Sequence, residues 1–244
     1  ASPHHERLRE VVGQKAGNHL RLFIRETMPE MIAAADPLYL ALDDLSGTSL
    51  VSNWALVHWT GNWMGGTRER ISDAAVAQLV ADRVNVCWGL AEGNSGFQPG
   101  VGGHRHDSAP GGELRNPADP QGWHEFPEIA GPSFRRARRI DVWREGERIE
   151  IETAFQDSAP SPEGKRFALH EYSLRLSADA SDMTIRSLVA TPHILPFFEC
   201  PGATANAQKL VGTPLGAIRD TVLANLRGTE GCTHLNDMLR ALGD

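Results

Sequence analysis

Ile149, Ile151, Thr153 and Phe155 alternate with Glu150, Glu152 and Ala154. An extended strand with one buried and one wet face satisfies that period of two. Three neighbouring stretches read the same way: Arg138 to Trp143, Arg166 to Ser177 and Met183 to Thr191. Arg144-Glu145-Gly146-Glu147 supplies a short glycine-bearing hairpin, and Asp179-Ala180-Ser181-Asp182 a turn before the last strand. Consecutive strands joined by short turns form an antiparallel meander.

On either side the period lengthens. Leu8, Val11, Val12, Ala16, Leu20, Phe23 and Ile24 recur at threes and fours, so a helix is predicted from Leu8 to Glu30. Pro29 opens a further helix, Leu38 to Leu45 gives a short one ending at Ser46-Gly47, and Asp73 to Leu90 follows with Ser72 or Asp73 as its cap. Between them, Val51 to Thr67 carries Trp54, His58, Trp59 and Trp63, compatible with helix or strand, and with a core wall or a pocket lining. Glu92 to Pro132 is rich in glycine and proline and reads as an ordered active-site loop. After Pro192, helices are expected at Ala203 to Leu210, Leu215 to Leu226 and Thr233 to Leu242. The expected fold is α+β: an antiparallel β-meander packed by C-terminal helices, with an N-terminal helical region and a long Gly/Pro-rich loop. Residues 1–133 and 134–244 are read as parts of one unit.

An apolar fraction of 41% in 244 residues is enough for a core without staples. A formal charge of −7 gives no basic footprint for nucleic acid or an anionic membrane. The arginine run from Arg135 to Arg139 is the local exception, and reads as a solvated face rather than a phosphate site. Cys87, Cys200 and Cys232 are too few for a disulfide scaffold, which favours a reducing cytoplasm. Neither a secretory leader nor a membrane span is expected.

His170-Glu171-Tyr172, Leu174-Arg175-Leu176, Glu199-Cys200-Pro201, Leu210-Val211-Gly212 and, most specifically, Gly228-Thr229-Glu230-Gly231-Cys232-Thr233-His234-Leu235 form an ordered set. Through these residues the chain resembles the uncharacterised bacterial family named domain of unknown function 2889, over roughly residues 134–242. The resemblance implies a shared fold and shared polar motifs. It implies no reaction.

The residues themselves suggest where chemistry would lie. Nucleotide, flavin and serine-hydrolase fingerprints are missing, so neither cofactor nor metal is assigned. His170 shares a strand face with Tyr172, while Glu171 points to the other side. Cys232, Thr233 and His234 stand at a helix entrance, where free N–H groups favour an anion and lower a thiol's pKa. His170 and His234 are the expected catalytic acid and base. His58, Trp59, Trp63, His104, His106, Tyr172, Cys232 and Thr233 are the expected substrate contacts. The blander alternative makes both histidines satisfied core residues and Cys232 a small buried hydrophobe.

Three functions follow. The first is a cofactor-independent acid–base lyase or isomerase of aromatic catabolism, cleaving a C–C or C–O bond of a hydrophobic, phenolic small molecule. The second is a metal-dependent hydrolase or lyase using His104 and His106. The third is a non-catalytic ligand-binding or assembly module. A symmetric homodimer is compatible with all three.

Overall fold

The computed structural model describes residues 8–60, 72–97, 108–127 and 129–243. Its centre is the expected meander: β2 (Arg135–Glu145), β3 (Arg148–Pro160), β4 (Arg166–Asp179) and β5 (Ile185–Ile194), each antiparallel to the next. A two-residue strand, β1 (Ala109–Pro110), pairs with the start of β4. The β2–β3 turn uses Gly146 at φ 59°, the left-handed region that a tight hairpin requires.

One face of the sheet is apolar. Phe155, Tyr172, Leu174 and Leu176 pack against Ile218 and Val222 of one C-terminal helix and Leu235, Met238 and Leu239 of the next. We number these helices α5 (Ile218–Asn225) and α6 (Thr233–Arg240), after α1 (Asn18–Thr27), α2 (Pro29–Ala33), α3 (Pro37–Thr60) and α4 (Asp73–Ala81). The segment expected as a helix before α5 is 3-10 instead, Cys200–Leu210.

Several boundaries differ from expectation. The predicted helix from Leu8 is interrupted: residues 8–11 are helical, turns carrying Gly13 and Gly17 at positive φ follow, and α1 begins at Asn18. Ser72 does cap α4, accepting from the Ala75 N–H, but the helix ends at Ala81 rather than Leu90. The expected stop at Ser46-Gly47 is overridden, because α3 runs straight through to Thr60. A mid-helix glycine costs about 1 kcal/mol relative to alanine. Here it removes a side chain that would collide: a Cβ on Gly47 would overlap Asp237 Oδ2 and Arg136 Nη1.

The same helix settles the tryptophan stretch up to Thr60, placing Trp54 and Ala55 against Ala159 and Leu169. Leu169 reaches that contact through a β-bulge. Asp157 pairs with His170 and Ser158 with Ala168, which leaves Leu169 as the extra residue. Among the described residues no helix is long and apolar enough to cross a membrane.

Candidate functional site: a buried Asp-His-His centre

Strand register builds the centre. Arg136 of β2 lies directly opposite Asp157 of β3, and Asp157 directly opposite His170 of β4, so the three form one row across the core face. His234, in the first turn of α6, lies on this row. Its ring stacks on that of His170 with centroids 3.5 Å apart and planes inclined by 16°. The two expected catalytic histidines therefore meet.

Asp157 faces both rings. Its Oδ2 is 3.9 Å from His170 Nδ1 and 3.7 Å from His234 Nε2, too far for hydrogen bonds but close enough to feel the charge. Both carboxylate oxygens are taken by Arg136, with Nε 2.8 Å from Oδ1 and Nη2 2.7 Å from Oδ2. Arg136 also donates to Asp237 Oδ2 at 2.6 Å and lies over the Phe155 ring. The arginine run is thus not a solvated face. Arg136 and Arg138, two apart on an alternating strand, turn inward, and Arg138 holds Asp44 of α3.

A second layer joins the helices. Asp237 accepts from Arg21 of α1 at 2.7 Å and from Arg240, one turn on in α6. Asp43 of α3 takes Arg21 at 3.0 Å and Arg219 of α5 at 3.4 Å. Burial alone would raise the Asp237 carboxyl, but the Arg136, Arg240 and Arg21 guanidinia outweigh it and hold the group well below the usual carboxylate range. His234 moves the other way from a charged histidine. Burial, helped by Arg136, pushes its pKa down to about 3, so the ring is neutral at physiological pH.

A carboxylate opposite Nε2 favours the tautomer with its proton on that nitrogen. Nδ1 is then an acceptor, and Thr233 Oγ1 lies 3.2 Å away. Thr233 is also in the wall of a cleft of about 770 Å³ between α1, α3, α5 and α6, a wall that includes Tyr39, Val222 and Arg240. Neither His170 nor His234 reaches that wall; each is 4% exposed. Thr233 therefore belongs both to the cleft wall and to the hydrogen bonds of the buried row.

The thiol expectation is corrected. Cys232 is the N-cap residue of α6, but its side chain makes no capping bond. It accepts instead from the Tyr172 hydroxyl at 3.3 Å, and burial pushes its pKa up rather than down. Tyr172 is fully buried, with its hydroxyl donated to that sulfur. Cys87 and Cys200 are buried free thiols as well, with Cys87 pushed up to about 12 by burial.

Of the other expected contacts, Trp59 donates its indole N–H to Pro160 O at 2.6 Å, three residues beyond Asp157. The His58 side chain and Trp63, His104 and His106 lie outside the described residues. So does the middle of the expected active-site loop. Of its described part, Ser95 donates to Glu199, while Gly112, together with Gln156 of β3, holds Glu171 on the opposite face of the sheet.

Asp157, His170 and His234 offer three ligand atoms within 4.8 Å of one another, a set suited to a transition metal. The present geometry is not that of a filled site. The rings are stacked rather than turned edge-on toward a common point, and the Arg136 guanidinium sets a positive charge against the same carboxylate.

Fold and centre together define an α+β protein with an aspartate–histidine–histidine cluster at the seam between a meander and its helices. Residues 134–244, a little under half of the chain, match the family described as protein of unknown function (DUF2889). The resemblance carried by His170 and the stretch from Gly228 to Leu235 is borne out, and the match holds Arg136, Asp157, His170, His234 and Asp237. Arg21, Asp43 and Asp44 come from outside it. No curated protein and no solved structure matches the chain.

Proposed function

We propose that the chain is a small-molecule enzyme that moves protons without a cofactor, a lyase or isomerase acting on a hydrophobic, phenolic substrate bound in the α1–α5–α6 cleft. The observation that carries this reading is Thr233, a residue of the cleft wall whose hydroxyl lies 3.2 Å from His234 Nδ1. The hydroxyl takes a proton from the substrate as it passes its own to His234. The imidazolium that forms lies between the Asp157 carboxylate and the His170 ring, and the proton returns the same way to the product. A base held near pKa 3 cannot store a proton at neutral pH. That favours reactions which give the proton back within one turnover, such as eliminations, retro-aldol cleavages and isomerisations.

Tyr39 and the aliphatic cleft wall suit a flat apolar body. Three free thiols support a reducing, cytoplasmic setting. We extend the same reading to aromatic catabolism in a bacterium and to a homodimer in solution.

The test is a panel of phenolic compounds incubated with the protein in D2O and followed by NMR for carbon-bound deuterium or bond cleavage. Thr233→Val and His234→Gln are expected to slow the reaction by about 10²–10⁴-fold, the usual contribution of a positioned acid–base group. Folded variants with wild-type turnover would sink the proposal.

A further inference from the structure

Five arginines line the cleft against two aspartates, in a chain whose overall charge is −7. We infer that the cleft is a site for an organic monocarboxylate, the apolar body on the Tyr39–Val222 wall and the carboxylate among the guanidinia. This rests on the reading that the same cleft holds the substrate, and it adds the chemical class of the substrate's polar end.

The charges do not cancel within the wall. Asp220 is used by Arg25 at 3.2 Å. Asp43 is shared among Arg21, Arg219 and Arg240 at 3.0, 3.4 and 3.5 Å, and Asp237, behind the wall, also takes Arg21 and Arg240, so that the five arginines meet three carboxylates. Arg227 completes the set. It lies just past the end of α5, its Nε donates to the Leu223 carbonyl of that helix, and no carboxylate pairs with it among the described residues. Arg240 adds an independent sign: its Nη2 pairs with Asp237 and Asp43, but its Nε, in a side chain 4% exposed, has no hydrogen-bond acceptor among the described residues. A concave wall with surplus guanidinium groups concentrates anions, and the planar fork of arginine matches a carboxylate.

The rest of the wall selects among anions. Ile32, Val86, Val222 and Leu226 give an apolar body a surface to lie on, and Asp43 and Asp220 repel a dianion such as phosphate. A single carboxylate on an aromatic or aliphatic body meets both conditions, and the cleft volume of about 770 Å³ suits a small organic acid.

Calorimetric titration of the full chain with benzoate, its neutral isostere benzamide and inorganic phosphate tests the inference without turnover. Benzoate is expected to bind about tenfold or more tightly than either of the others. Arg227→Ala, at an exposed position that leaves the fold intact, is expected to lose about tenfold of the benzoate affinity, Arg227→Lys to restore part of it, and benzamide to bind both forms alike. Equal binding of benzamide, phosphate as good as benzoate, or Arg227→Ala with wild-type benzoate affinity each overturns the inference. Because binding is measured apart from chemistry, retained benzoate affinity alongside full turnover in Thr233→Val would remove the proton relay and leave the carboxylate site standing.

Discussion

Replacing His234 with glutamine converts its burial into a measurable pH dependence. In the unfolded chain the imidazole takes up a proton near its ordinary pKa of 6.5, whereas in the folded protein it does so only near 3. Between those values the unfolded state carries one more proton than the native state. Stability contributed by His234 is therefore complete above pH 6.5 and is lost as pH falls, by about tenfold in the folding equilibrium per pH unit. From pH 6.5 to about 4.5 that amounts to about 3 kcal/mol, a large share of the stability of an ordinary domain. Asp237 has the same sign but acts only below the ordinary carboxylate value of 3.8, outside that window. Asp44, whose carboxyl is raised by burial, has the opposite sign and is present in both proteins. Urea unfolding followed by tryptophan fluorescence, at steps from about pH 7.5 to 4.5, gives the two curves. His234→Gln is expected to flatten the wild-type decline by one proton's worth. Parallel curves would refute the argument, since the ring would then not be sealed and neutral.

Gly47→Ala pushes a methyl group into the Arg136–Asp237 pair and is expected to cost about 3–5 kcal/mol, the range for breaking a buried ion pair, against less than 1 kcal/mol for Thr48→Ala next to it. Chemical denaturation of the two variants decides it. Zinc titrated into chelator-treated protein is expected to find no tight one-to-one site at Asp157, His170 and His234, because the rings are stacked and the Arg136 charge is paired with the same carboxylate; a stoichiometric isotherm that His170→Ala abolishes would show that the rings open for an ion.

The meander was legible because alternation is a local property. Ile149 to Phe155 declares its buried face, and the structure keeps that parity. Extended two residues further, the same alternation places Asp157 on the apolar face. That position is the sequence's sign of the third member of the centre. The arginine run was misjudged for a related reason: a charge count treats Arg135 to Arg139 as one patch, but a strand deals alternate residues to opposite sides. Asp237 and Arg240 lie three and six residues after His234, a spacing that puts them along one side of α6. Nothing local says that Gly47 continues a helix. Its reason for being glycine lies in residues 89 and 190 positions away. The Cys232 thiol went wrong on magnitude, since desolvation outweighs whatever the entrance of a short helix contributes.

Arg21 and Asp237 are separated by 216 residues and joined by one 2.7 Å contact. Their partnership cannot form early or piecemeal, because the chain must first close a loop of nearly its own described length. Peeling α1 from the surface would strip a counter-charge from the bottom of the sheet's core, so the first and last helices are expected to melt together rather than fray one at a time. Tolerance to damage should then be lowest where the polypeptide looks most peripheral.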